Sequence, residues 1–328
     1  MFKKILYVIV FLIVGAPFVL WLGATTSLDR SLSHSAATTS LPTFPDQSDG
    51  LVLVNTGNQI FRARVAGFGG ERGNVILLHG FPETSIMWIP LIEAVAQAGY
   101  QVVAFDQRGY SPGARPEETT AYTIEELAQD VLDVADVVGF ETFHIVGHDW
   151  GSVVGWNLVL TEAVRLKTWT SLSIPHIASF GAAIAEDADQ QQRSSYMILF
   201  RMPWLPEQLF AFNDFDLMRT VMYAEHGDAQ VEEYLRVFSE PGALTGALNW
   251  YRAAAFDAPV PDLNVKLPYL FIWGNQDPAV GRAAVDGQQQ YISGAFSELE
   301  LDAGHWLMET HAELVIPAVL SHFATYGS

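Results

Sequence analysis

Phe143-His144-Ile145-Val146-Gly147-His148-Asp149-Trp150-Gly151 runs from an apolar segment into a turn where a carboxylate stands between two glycines, and a helical pattern follows from Gly151. A strand that reverses into a helix within two residues crowds its own backbone, and flanking glycines permit the crowding. The central side chain then projects beyond the carboxyl end of the strand, where open α/β sheets bind ligands. A serine at such a turn takes an acyl group from an ester or amide, whereas a carboxylate is a poor acyl acceptor and a usable nucleophile at saturated carbon. Asp149 therefore predicts a substrate with an electrophilic carbon and a leaving group. The bland alternative is a helix N-cap without chemistry, and the rest of the chain decides between the two.

Outward from this turn, apolar runs alternate with helical patterns. Strands are expected at 51–54, 59–65, 74–78, 101–105, 143–146, 168–174, 269–273 and 297–301, with helices near 86–98, from 151, and at about 312–324. This is the grammar of a mostly parallel α/β sheet flanked by helices. The segment from Thr123 carries a Thr-x-x-Glu signature (Thr123, Glu126), places Leu127, Val131, Val134 and Val138 on one face, and stops at Gly139. The alternation breaks at about 175–267, a mainly helical and aromatic-rich stretch. An insertion there would lie over the carboxyl ends of the strands as a lid.

The chain has 328 residues, half of them hydrophobic, so core size is not limiting. With 17 Lys and Arg against 37 Asp and Glu, the formal charge is -20, which repels nucleic acid and anionic lipid. The absence of cysteine excludes disulfides, thiolate catalysis and Cys-ligated metals.

Residues 5–24 form an apolar run behind Lys3 and Lys4, long enough to span a bilayer. Residues 1–24 are thus expected to be a transmembrane anchor with the N-terminus cytoplasmic, or a signal peptide if cleaved, giving a secreted or periplasmic protein. In both cases the catalytic part is exported. Residues 25–49, rich in Ser, Thr and Pro, read as a linker, and residues 50–328 as the folded domain.

An ester formed on Asp149 needs a base for water and donors for the oxyanion. His305, in the turn Asp302-Ala303-Gly304-His305 after the last strand, is the expected base. Asp277, at the end of the preceding strand in Trp273-Gly274-Asn275-Gln276-Asp277-Pro278, is the expected acid behind it, ahead of Asp302, which is expected to cap its own loop. The second loop is His79-Gly80-Phe81-Pro82, whose Phe81 amide is expected to converge with that of Trp150 as an oxyanion hole. His79 reads as a structural hydrogen-bonding residue and Pro82 as a candidate for a cis bond. His144 reads as a strand residue, and His176, His226, His311 and His322 as surface or cap residues.

Together, His79-Gly80-Phe81-Pro82, Asp106-Gln107-Arg108-Gly109-Tyr110 with Gly113, and Gly147 to Gly151 resemble the α/β-hydrolase superfamily, specifically its epoxide hydrolase branch, which is related to the haloalkane dehalogenases. The resemblance covers residues 50 to the C-terminus and implies an eight-stranded-type sheet with a helical cap. It also implies two cap tyrosines that protonate the leaving alkoxide, and Tyr196 and Tyr251 stand in those contexts. His79, Pro82, Phe200, Trp204, Trp250 and Trp306 are the expected pocket residues. The implied partners are a small apolar epoxide and water, with no metal or organic cofactor. A haloalkane dehalogenase would hold halide on the Trp150 indole and a second donor, for which Trp204 is the candidate. Haloacetate dehalogenases would need arginines where Trp150 and Val153 stand. A hydrolase core reused as a non-catalytic ligand-binding module is the alternative of another class, and the missing elbow serine disfavours an esterase.

Overall fold

Val75 to Leu78, Val102 to Phe105 and Tyr269 to Ile272 are sealed from solvent, as expected of parallel strands covered on both faces. The computed structural model describes residues 40–255 and 263–327. One sheet is built from β1 (Gly50–Asn55), β2 (Ile60–Ala66), β3 (Asn74–Leu78), β4 (Gln101–Phe105), β5 (Phe143–His148), β6 (Leu166–Leu172), β7 (Tyr269–Gly274) and β8 (Phe296–Leu301). Its spatial order is β1-β2-β4-β3-β5-β6-β7-β8. Only β2 runs against its neighbours, pairing antiparallel with β1 and β4, and the other pairs are parallel. The expected mostly parallel sheet is therefore present.

Helices α1 (Ile89–Gln97), α2 (Ile124–Val138) and α3 (Trp150–Thr161) alternate with the strands. The stretch expected as one helix over 86–98 is a 3-10 turn, Ser85–Trp88, followed by α1, because Pro90 in the first turn of α1 has no N–H to extend the α ladder backwards. Helix α2 ends as expected, with Gly139 in the left-handed region at φ 81°. The capping box at its start does not form. Thr123 occupies the N-cap with no side-chain bond, and Glu126 instead accepts from Arg108 Nη1 at 3.2 Å. That guanidinium is fixed by two bonds of 2.7 Å to Asp130, so it is already in place to draw Glu126 outward.

The chain then leaves the sheet through α4 (Ile177–Glu186), α5 (Ala188–Arg193), α6 (Tyr196–Phe200), α7 (Leu205–Leu217), α8 (Asp228–Ser239) and α9 (Ala243–Ala253), which form the cap between β6 and β7. Helix α7 is interrupted at Phe212 to Phe215, three of whose residues have positive φ. After β7 come α10 (Arg282–Asp286), β8, α11 (Leu307–Thr310) and α12 (Ala312–Tyr326).

Two sequence expectations change at the periphery. An isolated bridge precedes Gly50: the Leu53 amide donates to Pro42 O at 2.8 Å and Phe44 packs on Phe68 at 5.0 Å, because β1 is an edge strand with free pairing groups. His322 is buried, not at the surface, and His176 is a buried cap residue whose Nδ1 accepts from the Ala178 amide. The apolar run 5–24 lies outside the described residues; among those described, no helix is long and apolar enough to cross a membrane.

Candidate active site

Asp149 joins β5 to α3 with φ 50° and ψ -121°, a strained conformation for a residue with a side chain. Neighbouring glycines make it possible. A Cβ on Gly151 would lie 2.1 Å from Leu78 O, and one on Gly80 would lie 2.4 Å from Asp149 Cβ, so the two loops meet backbone to backbone. The result aims the Asp149 carboxylate away from the sheet. Its Oδ1 accepts the Phe81 amide at 2.9 Å, and its Oδ2 lies 3.6 Å from His305 Nε2. The Trp150 amide opens α3 directly beside it, and Pro82 follows a cis bond.

His305 reaches this point from the turn after β8. Its Nδ1 donates to Asp277 Oδ2 at 2.7 Å, which turns Nε2 toward Asp149. Asp277 is sealed from solvent, and its other oxygen accepts the Ala279 and Val280 amides at 2.7 and 3.1 Å. Asp302 is remote from this contact, since its Oδ1 accepts from Gln276 at the surface. The His305 carbonyl accepts from His148 Nε2 at 3.0 Å and from Ser173 Oγ at 3.2 Å, and His148 Nδ1 is bound to Glu83 Oε2 at 2.8 Å.

The charges in this cluster depend on one another. Burial alone would raise the Asp149 carboxyl, but the hydrogen bond and charge of His305, with His148 and the Phe81 amide, hold it below the ordinary range. Burial opposes a charge on His305, yet Asp277 first and then Asp149 raise it well above the ordinary imidazole value. The resting pair is therefore a carboxylate and an imidazolium.

Tyr251 from α9 and Tyr196 from α6 stand over Asp149, their ring centroids 6.3 Å apart. The Tyr251 ring stands edge-on to the Trp150 indole at 4.9 Å, with Tyr196 beyond it. Burial first raises both phenols, and the Asp149 charge adds to it, so both remain neutral O–H groups. Phe81 and Phe200 pack against Tyr251 at 5.6 and 5.0 Å. A cavity of about 20 Å³, room for one water, touches Asp149, Trp150, Val153, Ile174, Phe180 and Tyr196. A larger cleft of about 680 Å³ shares Trp150, Val153 and Phe180 with it.

The structure thus brings Asp149, His305, Asp277, Tyr196, Tyr251, Phe81, Trp150 and Phe200 together. Other expected pocket residues lie elsewhere. Trp204 is 62% exposed on a turn with φ 66°, which directs it to solvent. Trp250 is turned inward, where its Nε1 donates to Arg108 O at 2.8 Å. His79 lies beneath the loop as a tie, accepting the Gln107 amide on Nε2 at 3.0 Å. Trp306, by contrast, adjoins the site, edge-on to His305 at 4.8 Å. The sequence reading missed Val153, Ile174, Phe180, Met197 and Ala279 as cavity walls. Ile174, just past the end of β6, carried a positional signal, while Phe180 and Met197 were indistinguishable from other cap apolar residues. It also read His226 as a surface or cap residue, whereas its side chain is fully enclosed beside Tyr223, Tyr234 and Trp306.

Residues 73–312 match the family described as alpha/beta hydrolase fold. The chain is 31% identical over 247 residues to epoxide hydrolase 3 of Mus musculus, covering 73% of this chain and 67% of that one. It is 33% identical over 310 residues to epoxide hydrolase A of Mycobacterium tuberculosis, covering 82% and 95%. Among solved structures, an epoxide hydrolase of Bacillus megaterium bound to an inhibitor superposes with a TM-score of 0.76 at 22% identity, over 83% of this chain and 99% of that one, a likeness of fold.

Proposed function

The chain belongs to the alpha/beta hydrolase fold family, among its epoxide hydrolases, and from that premise we propose that Asp149 opens an epoxide to a vicinal diol through a covalent ester. One observation carries this reading: the Asp149 carboxylate lies between two buried, neutral tyrosine hydroxyls and the His305–Asp277 pair. An alkoxide is a far poorer leaving group than halide and needs a proton donor, which Tyr196 and Tyr251 supply. Asp149 Oδ attacks a ring carbon, the carbon–oxygen bond breaks, and a phenol proton passes to the ring oxygen, leaving a hydroxyalkyl ester. With Asp149 neutral as the ester, the His305 imidazolium passes its proton to the tyrosinate; the imidazole so freed takes a proton from water, the hydroxide adds to the Asp149 carbonyl carbon, and the Phe81 and Trp150 amides hold the oxyanion. Collapse expels the alkoxide, which takes the proton of the added hydroxyl; the diol leaves, the carboxylate is restored, and His305 is again an imidazolium.

The halide alternative lacks support from the same side chains. The Trp150 indole is packed edge-on against the Tyr251 ring, and Trp204 points to solvent. A single turnover in oxygen-18 water tests the ester: the first diol is expected unlabelled, because its new oxygen comes from Asp149. Label in that first product would refute the covalent route. On a paired epoxide and bromoalkane, diol without bromide is expected.

The reading extends to location. Lys3, Lys4 and the apolar run 5–24 support an anchor with a cytoplasmic N-terminus and an exported catalytic domain. Removal of residues 1–39 is expected to move activity from the membrane fraction to the soluble one with kcat/KM unchanged.

A further inference from the structure

Behind the catalytic histidine lies a second group of polar side chains to which the reaction assigns no role. Glu83 comes from the loop after β3, His226 from the cap turn before α8, and Glu309 from α11. One oxygen of each carboxylate is already held: Glu83 Oε2 by His148 Nδ1 at 2.8 Å, and Glu309 Oε1 by Gln230 Nε2 at 3.2 Å. The remaining atoms are buried and without a hydrogen-bond partner, namely Glu83 Oε1, Glu309 Oε2 and both ring nitrogens of His226. The His226 side chain is fully enclosed, with its Nε2 3.6 Å from Glu83 Oε1. One donor atom from each of the three lies within 4.8 Å of the others.

Buried polar atoms without partners are costly, and one such donor atom from each of three side chains, gathered within 4.8 Å, calls for an occupant. Two buried carboxylates side by side also repel unless something positive stands between them. The neighbouring side chains are Gln230, Tyr223, Tyr234, Trp306 and His148, and the last is held on the far oxygen of Glu83 and not between the two carboxylates.

We propose that Glu83, His226 and Glu309 bind one divalent transition-metal ion, Zn²⁺ by their donor chemistry, as a clasp between cap and core. One imidazole and two carboxylates suit zinc, and a water can complete four-coordination. Donors around tetrahedral zinc stand roughly 3.2–3.6 Å apart, so the His226–Glu83 pair is already at that spacing and the widest pair must close by about 1 Å. Rotation of the long Glu309 side chain provides it. His148, holding the second Glu83 oxygen, fixes the carboxylate as outer partners of metal ligands do. The site is separate from the reacting atoms, since neither Asp149 nor His305 is among its donors.

The test uses the full chain, purified without a polyhistidine tag, with Zn²⁺ and Co²⁺ as probes. Expected are one Zn²⁺ per chain by elemental mass spectrometry, visible Co²⁺ absorption bands that one equivalent of Zn²⁺ abolishes, and a thermal midpoint about 5 °C higher with Zn²⁺ than after EDTA treatment. His226→Ala and Glu309→Gln are each expected to weaken Zn²⁺ binding at least tenfold, while His311→Ala does not. If the wild-type midpoint is the same with Zn²⁺ and with EDTA and no Co²⁺ band appears, the proposal is overturned in favour of a shared proton. Full affinity retained in His226→Ala would overturn it equally, by placing the ion elsewhere.

Discussion

In the proposed reaction Asp149 loses its negative charge in the first chemical step, and His305 owes part of its raised pKa to that charge. In the free enzyme the imidazolium is a poor base. Once the carboxylate has become a neutral ester, only the Asp277 contribution remains and the imidazole value must fall, so the first step prepares the base for the second. Asp149→Asn imitates this loss, and NMR titration is expected to show a lower His305 pKa than in the wild type; an unchanged value would sever the coupling. By the same sign, the acid limb of kcat, which reports the ester enzyme, should lie at lower pH than the free-enzyme His305 titration. For the tyrosines, the expected cost of Tyr251→Phe or Tyr196→Phe is about 10- to 100-fold in the single-turnover alkylation rate, and more for both together. Equal rates would remove the phenols from proton donation. Residue types and spacing made these side chains legible, because a nucleophile, base and acid must fall at successive strand ends. Side-chain direction was not legible: Trp204 and Trp250 look alike in sequence, yet one is 62% and the other 1% exposed, since direction depends on local φ and on a partner 142 residues away.

Helix α9 must bring Tyr251 to the site from outside the sheet, and it does so by crossing the turn after β4 at two glycines. A Cβ on Gly246 would lie 2.7 Å from Gly109 Cα, a contact that only backbone movement could relieve. Gly246→Ala is therefore expected to push α9 outward, destabilising the protein by about 1–3 kcal/mol. It should also lower kcat, because Tyr251 lies on the same helix. Thermal melting and turnover of the variant check both, and wild-type values for both would mean that the helix position is not set at this crossing. Strands with branched residues buried on both faces could be read without a structure, as could the stretch where alternation stops and the cap begins. Caps were less legible, because Thr123 and Glu126 had the right spacing while Arg108, distant in sequence, claimed Glu126. The Gly109–Gly246 crossing had no sequence signal beyond the glycines themselves, for close approach between segments is a tertiary fact.

At the scale of the whole molecule, acid stability sets several buried groups against a net charge of -20. His144, His176 and His322 are sealed in the fold, and burial lowers each to about 4, so all three are neutral in the native state down to that pH. Unfolded, each takes a proton near pH 6.5, so the unfolded chain binds up to three more protons between these values and stability falls as pH falls. His79, also lowered by burial, adds to that uptake, whereas Glu309 when no cation replaces its proton, Asp130, raised by burial to about 6, Glu240 and Glu298 have the opposite sign and offset part of it. Relief of acidic self-repulsion cannot compensate over this range, because exposed carboxylates take up protons mainly below pH 5. Above pH 6.5 the sign reverses: folded His305 keeps a proton that the unfolded chain loses, so its contribution is lost as pH rises through its raised native value. Each net proton is worth up to about 1.4 kcal/mol per pH unit. The chain from Ser40 onward is therefore expected to melt several degrees lower at pH 5 than at pH 6.5, with its maximum near the latter. A midpoint flat from pH 5 to 7 would show that the three imidazoles titrate as if exposed, and that the packing of His144 on Phe323 and of His176 on Tyr291 opens to water before the fold melts.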